Sequence, residues 1–237
     1  MIKTVIFDID DTMYDYTRGN RLALEALKDY CVLHLEITGT TFHRTLKEAN
    51  ERMVAKLGSN NAAIHNRLLR YQTMLEILDK PLFPHAVRMA ELYWKTMIDC
   101  MEPEPGLADF IRSLKENGVR VGVGTNMTAY VQYKKLERLG ITPMIDFLVT
   151  SEEAGVEKPD AVFYQHCLLK AGCKPEECLF IGDGLKGDVL APQQAGMHSL
   201  WYQPSGRPDG EKEYVPGIQK ITSFSECLEE GFLGSFS

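Results

Sequence analysis

The sequence predicts an α/β protein whose core is a doubly wound parallel sheet and into which an α-helical domain is inserted. In the C-terminal half of the chain, short apolar runs alternate with helical segments, and each helical segment is followed by a glycine. A further apolar run of the same kind stands at the N terminus, far ahead of the others. Because strands that alternate with helices form parallel sheets, we assign this isolated strand to the same sheet.

The first strand is predicted over residues 2–9. The run is short, apolar and rich in β-branched side chains, which is typical of a strand buried on both faces. Asp8 lies near its C-terminal end, and Asp10, Asp11 and Thr12 follow it directly. A core strand has no structural need for so many acids at one end. We therefore expect this end of the strand to lie at a functional site.

Residues 15–103 are predicted to form the inserted helical domain. Apolar side chains recur there at helical intervals, and no strand pattern is visible. Gly58 is expected to end the second helix, Pro81 to stop the third and Pro84 to precede the fourth. Helices with short connections favour a small bundle. The helices are expected near residues 22–31, 42–57, 64–78 and 87–97.

A linker marks the return from the inserted domain to the core. Residues 102–106 read Glu-Pro-Glu-Pro-Gly, which is the clearest loop signal in the chain. The predicted core domain therefore comprises residues 1–14 and 104–237, and the inserted domain comprises residues 15–103.

After the linker, the core continues with alternating helices and strands. Strands are predicted over 119–123, 147–150, 178–181 and 199–202, and helices over 107–117, 130–139, 161–171 and 189–195. The stretch 203–215, rich in proline, glycine and charge, is predicted to be a surface loop. A strand over 218–221 and a helix over 224–230 close the domain. Ser223 and Glu226 have capping-box spacing for that helix, and Gly231 is expected to end it.

Composition and charge restrict the class of protein. The 237 residues are 44% hydrophobic and 25% charged, which is ordinary for a globular protein. The net charge of −7 argues against nucleic acid as the main partner. We find no signal peptide and no apolar run long enough to span a membrane. The six cysteines include no CxxC pair, which favours reduced thiols in a cytoplasmic protein, and monomer and homodimer remain equally open.

Polar side chains follow the core strands at their C-terminal ends. Because ligands bind at the carboxyl ends of parallel strands, we expect these side chains to converge on one crevice. They are Asp8, Asp10 and Thr12 after the first strand, Thr125 and Asn126 after the second, Lys158 beyond the third, and Asp183 and Asp188 after the fourth.

This set of side chains indicates metal-assisted phosphate chemistry. Carboxylates gathered in one place repel one another, and a divalent cation removes that conflict. Oxygen ligands without histidine or cysteine favour Mg²⁺ over zinc. A lysine and a hydroxyl beside the cation suit a bound phosphate. Because side chains on a strand repeat with period two, Asp8 and Asp10 face the same way, so one suits a nucleophile and the other an acid/base.

With these motifs the chain resembles the haloacid dehalogenase superfamily of hydrolases, in the form that has an α-helical cap inserted after the first motif. The resemblance implies a Rossmann-like core and covers nearly the whole chain. It rests on Asp8-x-Asp10-x-Thr12, Thr125-Asn126, Lys158-Pro159 and Gly182-Asp183-x₄-Asp188, which occur in the family's order.

The resemblance implies a role for each acid. Asp8 is expected to be the nucleophile that receives the phosphoryl group, and to bind Mg²⁺ through one oxygen. Asp10 is expected to protonate the leaving alcohol and then to activate water, while its backbone carbonyl binds the metal. Asp183 is expected to be a direct metal ligand. Asp188 is expected to bind the metal either directly or through an intervening group.

The resemblance also implies the residues that hold the phosphate and the reaction they serve. Thr125 and the backbone of Asn126 would bind the phosphate oxygens, and Lys158 would neutralise the phosphate and Asp8. The implied activity is that of a Mg²⁺-dependent phosphatase acting through an aspartyl-phosphate. A helical cap would exclude proteins and water from the crevice, so the expected substrate is a small nucleoside monophosphate or sugar phosphate.

Two alternative functions remain open at this point. A phosphomutase uses the same core but protects its intermediate from water, and a non-catalytic phosphate-binding module would use the acids only to hold metal. A dehalogenase would lack the second acid, which Asp10 supplies here. A phosphonate hydrolase would need a cap lysine that no pattern singles out. The segment with Gly122 and Gly124 resembles a dinucleotide-binding loop but has no third glycine, which argues against nucleotide-cofactor binding there.

Other polar residues have simpler interpretations. Asp11 is expected to face solvent, and Thr12 to order the turn after the first strand. The histidines show no metal-ligand spacing. In the cap, Arg67 and Arg70 could face either the substrate or solvent.

Overall fold

A computed structural model describes residues 1–205, 216–229 and 231–236 of the chain. The fold divides into two compact units, one of Met1–Asp15 with Glu102–Ser237 and one of Tyr16–Met101. The boundaries predicted from the sequence lie within two residues of these. No helix in the described part of the chain combines the length and the apolar character needed to cross a membrane.

The larger unit is built on a parallel sheet, which confirms the predicted fold class. The six strands of the described residues have the order β3-β2-β1-β4-β5-β6, so β1 lies between β2 and β4. The chain moves outward from β1 to β3 and then crosses to the other side of β1, and ligand sites form where the strand order reverses in this way. The strands are β1 (Thr4–Phe7), β2 (Arg120–Thr125), β3 (Phe147–Thr150), β4 (Cys178–Gly182), β5 (His198–Tyr202) and β6 (Lys220–Ile221).

The register of the central strands brings their carboxyl ends to the same height. Every residue of β1 is buried, as expected for an apolar run between two other strands. Phe7 lies opposite Val123 of β2 and Ile181 of β4. Whatever follows Phe7, Val123 and Ile181 in the sequence therefore lies at one edge of the sheet.

The smaller unit contains four α-helices, the number that the apolar periodicity predicts. α1 packs against α4, and α2 packs against α3. Gly58 ends α2 and Pro84 precedes α4, both as predicted. The helices are α1 (Tyr16–Leu35), α2 (Gly39–Leu57), α3 (Arg67–Ile77) and α4 (His85–Asp99).

The prediction of one continuous third helix is wrong. A separate 3₁₀ turn, Ala62–His65, precedes α3. The side chain of Asn66 accepts a hydrogen bond from the N–H of Leu69 at 3.2 Å and so caps α3. An asparagine side chain that binds the backbone in this way replaces a helical bond, and the helix begins anew after it.

The helices of the larger unit follow the predicted alternation. Gly140 and Gly172 end α6 and α8 in the left-handed conformation that glycine adopts without strain. These helices are α5 (Leu107–Glu116), α6 (Ala129–Leu139), α7 (Ser151–Ala154), α8 (Ala161–Ala171) and α9 (Ala191–Gln194). The short helix α7 has no counterpart among the predicted helices.

Three predictions near the C terminus need correction. The helix expected over 189–195 begins earlier, as a π-helix over Leu185–Leu190, and continues as α9. The helix expected over 224–230 is a 3₁₀ helix, Phe224–Leu228, although its predicted capping box is present. The strand expected over 218–221 is limited to β6. Of the predicted loop 203–215, residues 206–215 lie outside the described residues, as does residue 230.

Candidate active site

Asp8 lies directly beyond β1, at the carboxyl edge of the sheet, and is buried. Its N–H donates to the carbonyl oxygen of Ile181 at 2.9 Å, so the backbone continues the ladder with β4. Lys158 Nζ lies 2.7 Å from Asp8 Oδ1 and 2.7 Å from Asp188 Oδ1. A single ammonium group therefore joins the carboxylates that follow two neighbouring strands.

Asn126 positions the loop that carries Lys158. Its Oδ1 accepts a hydrogen bond from the N–H of Lys158 at 2.8 Å, and its Nδ2 donates to the carbonyl oxygen of Lys158 at 3.3 Å. Lys158 Nζ also donates to the carbonyl oxygen of Gly124 at 3.3 Å. The end of β2 thus holds Lys158 by both its backbone and its ammonium group. Asn126 was expected to act through its backbone, and its side chain has this second role.

Asp8, Asp183 and Asp188 form a compact group of carboxylates. One oxygen from each lies within 4.8 Å of the others. Burial raises the pKa of Asp8 to about 7, and the nearby charges of Asp188 and Asp10 add to the rise against the opposing effect of Lys158. Burial also raises the pKa of Asp183 to about 8, with further contributions from Asp8 and Asp188. The charged forms of these acids are therefore costly without a cation.

The donor set of this group fits a hard divalent cation. The three side chains offer carboxylate oxygens only, which are the ligands that Mg²⁺ prefers. A cation would also offset the repulsion that raises the pKa of Asp8 and of Asp183. The Asp10 side chain is not part of the group. Metal binding by its backbone carbonyl stays a prediction, and so does direct binding by Asp188.

Lys158 remains charged in this surrounding. Burial alone would lower the pKa of its ammonium group, but the adjacent carboxylates of Asp188 and Asp8 outweigh burial and hold the pKa above its ordinary value. A fixed positive charge next to Asp8 is what a bound phosphate requires.

Thr12 and Trp201 hold Asp183 in place. The N–H of Asp183 donates to Thr12 Oγ1 at 3.0 Å, and Thr12 Oγ1 donates to Asp183 Oδ1 at 3.2 Å. Trp201 Nε1 donates to the carbonyl oxygen of Asp183 at 2.8 Å. Thr12 was expected only to order the turn after the first strand. It also links the end of β1 to the end of β4.

The π-helix directs Asp188 back towards β4. Asp188 Oδ2 accepts a hydrogen bond from the N–H of Gly184 at 2.9 Å, and the N–H of Asp188 donates to the carbonyl oxygen of Gly184 at 2.7 Å. Position 182 requires glycine, because a Cβ on Gly182 would lie 2.4 Å from Asp188 Cγ. The predicted helix over 189–195 left Asp188 in the preceding loop, whereas the structure holds it within a helical turn.

Asp10 binds a lysine that the sequence analysis did not identify. Lys135 Nζ lies 2.6 Å from Asp10 Oδ1 and 2.8 Å from Asp10 Oδ2. The hydroxyl of Tyr14 donates to Asp10 Oδ1 at 2.6 Å. Asp11, the next acid in the motif, is half-buried rather than facing solvent, and it lies outside the carboxylate group. Its backbone is left-handed, with φ of 61°.

Gln132 positions Thr125, the other expected phosphate ligand. Gln132 Nε2 donates to Thr125 Oγ1 at 2.8 Å and to the carbonyl oxygen of Asn126 at 3.2 Å. The Thr125 hydroxyl therefore keeps its own hydrogen for donation. Thr125 Oγ1 lies 3.4 Å from the carbonyl oxygen of Asn126, a long hydrogen bond. The same hydroxyl could donate to a phosphate oxygen instead.

One sequence signal pointed to both missed residues. Gln132 and Lys135 lie on the buried face of α6, among Val131, Leu136 and Leu139. Polar side chains in the apolar stripe of an amphipathic helix need buried partners. The sequence could therefore have marked Gln132 and Lys135 as buried polar residues, although it contains no signal for which groups they bind.

The side chain of Arg67 does not face solvent, which was one of the two positions expected for it. Arg67 is buried rather than facing solvent. Its Nη2 donates to the hydroxyl of Tyr16 at 2.9 Å and to that of Tyr93 at 3.2 Å. It joins α1, α3 and α4, which is a structural use of the guanidinium group. A role for Arg67 or Arg70 towards substrate stays a prediction.

Mg²⁺ is expected to stabilise the protein against heat, and to do so more strongly at higher pH. The folded metal-free protein keeps protons on Asp8 and Asp183 that the unfolded chain has lost, because their pKa values are raised to about 7 and about 8. Its stability therefore falls as the pH rises from about 4 to about 8. Mg²⁺ displaces those protons and removes the penalty. At a tenfold excess over Kd the gain is about 1.4 kcal/mol, or roughly 3–6 °C in Tm.

Thermal unfolding at pH 6 and pH 8, with and without Mg²⁺, measures this effect. The variant Asp183→Asn removes one expected ligand and should lose most of the shift. Asp109→Asn, which changes an exposed acid on α5, should keep it. Equal shifts in the protein and in Asp183→Asn would contradict the metal site.

Comparison with known proteins gives an independent line of evidence. A family model described as haloacid dehalogenase-like hydrolase matches residues 2–196. The chain is 31% identical to a ribulose-1,5-bisphosphate 5-phosphatase from Halopiger xanaduensis over 88% of each protein. It is 30% identical to a glyceraldehyde 3-phosphate phosphatase from Methanothermobacter thermautotrophicus over 91% of each. It is also 26% identical to the pyrimidine 5'-nucleotidase PynA of Streptococcus pneumoniae over 98% of this chain and 97% of PynA.

Solved structures share the fold over 95% or more of the chain. A 2-haloacid dehalogenase from Pseudomonas syringae has a TM-score of 0.76 and 23% identity, with all of both chains covered. The magnesium-bound hydrolase YfnB of Bacillus subtilis has a TM-score of 0.67 and 23% identity over 95% of this chain and 96% of that one. At these identities the likeness establishes the fold.

Proposed function

The chain belongs to the haloacid dehalogenase-like hydrolases, and on that premise we propose that it is a Mg²⁺-dependent phosphatase of small phosphorylated metabolites that works through an aspartyl-phosphate. The observation that carries the proposal is the position of Lys158 between Asp8 and Asp188, with Asp183 in the same group. The carboxyl edge of the sheet thus brings together a carboxylate, a fixed positive charge and a set of oxygens that can bind a metal, as phosphoryl transfer requires.

Asp8 is the nucleophile of the first half-reaction. One of its oxygens attacks phosphorus, and the bond between phosphorus and the ester oxygen breaks. Asp10 donates a proton to the departing oxygen, which leaves as an alcohol. Lys158 balances the charge on the phosphoryl oxygens, while the Thr125 hydroxyl and the N–H of Asn126 donate to them.

Asp10 acts as the base of the second half-reaction. It accepts a proton from water, and the water oxygen attacks the phosphorus of the aspartyl-phosphate. The bond between phosphorus and the Asp8 oxygen breaks, which restores the Asp8 carboxylate and releases inorganic phosphate. The sum of the two halves is a phosphate ester plus water giving an alcohol plus phosphate.

The chain holds the metal-ligand oxygens ready through contacts of its own. Mg²⁺, bound by Asp8, Asp183 and Asp188, would supply positive charge beside the transferring phosphoryl group. Thr12 and the Trp201 indole restrain Asp183.

The relatives narrow the substrate to a small phosphate monoester. The similar curated proteins are named for ribulose 1,5-bisphosphate, glyceraldehyde 3-phosphate and pyrimidine nucleotides. We propose the class that these names share, namely phosphorylated sugars, trioses and nucleosides. This agrees with the nucleoside monophosphates and sugar phosphates that the sequence led us to expect.

With Mg²⁺ the protein is expected to release phosphate from 4-nitrophenyl phosphate, and EDTA should reduce the rate to background. A panel of ribulose bisphosphate, glyceraldehyde 3-phosphate and pyrimidine nucleoside monophosphates should then be hydrolysed faster than a phosphopeptide. Acid quenching during turnover of radiolabelled ester should trap the phosphoryl group on the peptide that contains Asp8.

Two other outcomes would contradict the proposal. Phosphate binding without release of product would indicate a binding module. Isomerisation of a sugar phosphate faster than its hydrolysis would indicate a phosphomutase.

A further inference from the structure

Lys135 is a fully buried lysine that the reaction described above does not use. Its side chain has no exposed surface, and it projects from the apolar face of α6. A buried ammonium group is costly unless a charged partner compensates it. Here the partner is Asp10, and both Asp10 carboxylate oxygens accept a hydrogen bond from Lys135 Nζ, at 2.6 and 2.8 Å.

The two oxygens of Asp10 are not equivalent. Oδ1 accepts from Lys135 and also from the hydroxyl of Tyr14, at 2.6 Å each. Oδ2 accepts from Lys135 alone among the contacts of the described residues. Because a carboxylate oxygen accepts about two hydrogen bonds, Oδ1 is saturated and Oδ2 keeps one site for a further partner.

Tyr14 completes this arrangement. It is almost fully buried, and Lys135 Nζ lies 5.7 Å from the centre of its ring. Its backbone also forms a bridge with Asp10. Tyr14 and Lys135 approach Asp10 from its own loop and from α6, so the carboxylate cannot turn freely about its side-chain bonds.

We propose that Lys135, together with Tyr14, is a positioning residue that fixes the Asp10 carboxylate with Oδ2 directed to the proton transfers. The inference rests on the proposed function, since it assigns the orientation of the acid/base in that reaction. Oδ2 gives its proton to the leaving oxygen in the first half-reaction and takes one from water in the second. Neither Lys135 nor Tyr14 exchanges a proton with the substrate.

α6 then has two positioning contacts with the same site. Gln132 orients the hydroxyl of Thr125, and Lys135, one turn later, orients Asp10. A helix that served only to cover the sheet would place apolar side chains at both positions. The purely structural explanation, in which Lys135 anchors α6, predicts a loss of stability without a selective effect on proton transfer.

The leaving group separates these explanations. The leaving group of an alkyl phosphate is a strongly basic alkoxide, which needs a proton as it departs, whereas the weakly basic nitrophenolate departs without one. In Lys135→Met, which keeps the length of the side chain, kcat for an alkyl phosphate substrate should fall by about 10²–10³. The first turnover of 4-nitrophenyl phosphate should slow by less than about tenfold. The KM for the alkyl phosphate should change little, whereas the KM for 4-nitrophenyl phosphate should fall, because hydrolysis of the phosphoenzyme then limits its turnover.

The second half-reaction supplies another readout. Hydrolysis of the aspartyl-phosphate needs Asp10 as a base whichever ester was used. Lys135→Met should therefore release a burst of nitrophenolate close to one equivalent per chain, followed by a slow steady rate. Acid-quenched phosphoenzyme should accumulate above the level in the unaltered protein.

Matched variants keep the test decisive. Lys134→Met removes the same charge from the exposed neighbour on α6 and should behave like the unaltered protein. Tyr14→Phe removes only a hydroxyl and serves if Lys135→Met fails to fold. It should show the same dependence on leaving group with a smaller loss. The Asp10 side chain is 21% exposed, so water can solvate the carboxylate once Lys135 is gone.

Equal losses for the alkyl and aryl esters in the first turnover, or no loss in a folded variant, would overturn the role of Lys135. Absence of hydrolysis and of phosphoenzyme in the unaltered protein would instead overturn the proposed function itself.

Discussion

Replacement of Asp8 by asparagine is expected to lower kcat by more than about 10³-fold without lowering the melting temperature. The amide has the shape of the carboxylate but cannot form an aspartyl-phosphate. Burial, with the charge of Asp188, raises the pKa of Asp8 to about 7, so its charged form is costly in the metal-free fold. A neutral amide removes that cost, and Lys158 keeps its bond to Asp188.

Three measurements check this prediction: phosphate release with Mg²⁺, trapping of the phosphoenzyme by acid, and thermal unfolding in EDTA. Asp11→Asn is the matched control, because it makes the same change three residues away. Asparagine tolerates the left-handed backbone at that position, where φ is 61°. Turnover of Asp8→Asn at the unaltered rate would refute its role as nucleophile. A marked fall in melting temperature would refute the account of its buried charge.

Replacement of Lys158 by methionine is expected to abolish activity and also to destabilise the fold. Lys158 is nearly buried between Asp8 and Asp188, and its loss leaves their carboxylates without a compensating charge. Removing one partner of a buried ion pair lowers the free energy of unfolding by about 3–5 kcal/mol. Loss of the charge that faces the phosphoryl group should lower kcat by more than about 10²-fold.

Mg²⁺ should restore part of the lost stability of Lys158→Met but none of its activity. The metal compensates the carboxylates, whereas the Nζ that binds the phosphate is missing. Denaturant unfolding with and without Mg²⁺, alongside phosphate release, separates the two effects. Lys174→Met, at a side chain that is 76% exposed, should match the unaltered protein in both assays. If Lys158→Met retained both stability and turnover, the central place of Lys158 in the site would be wrong.

The sequence was sufficient for those parts of the fold that depend on local patterns. β3 and α8 have the predicted bounds, because a short apolar run defines the first and Gly172 ends the second. The fold class is confirmed for the same reason, since alternating strands and helices specify a parallel sheet.

Errors arose where a side chain competes with the backbone or where tertiary bonds reshape a helix. Asn66 ended a periodic run that looked continuous, because its amide caps α3. The π-helix at Leu185–Leu190 has no signature in apolar spacing. It accompanies the hydrogen bonds between Asp188 and Gly184 and the ion pair of Asp188 with Lys158, which only the tertiary structure brings together.

Polar residues at the ends of apolar strands are visible in the sequence alone, because strands of one parallel sheet end at a common edge. That rule is enough to group Asp8, Lys158 and Asp183 from the sequence. The partners of Asp10 required the fold. Lys135 is 125 positions away in the chain, and only the packing of α6 brings the two together. A buried ammonium group must be paired, but pairing depends on distance in space, which apolar periodicity does not encode.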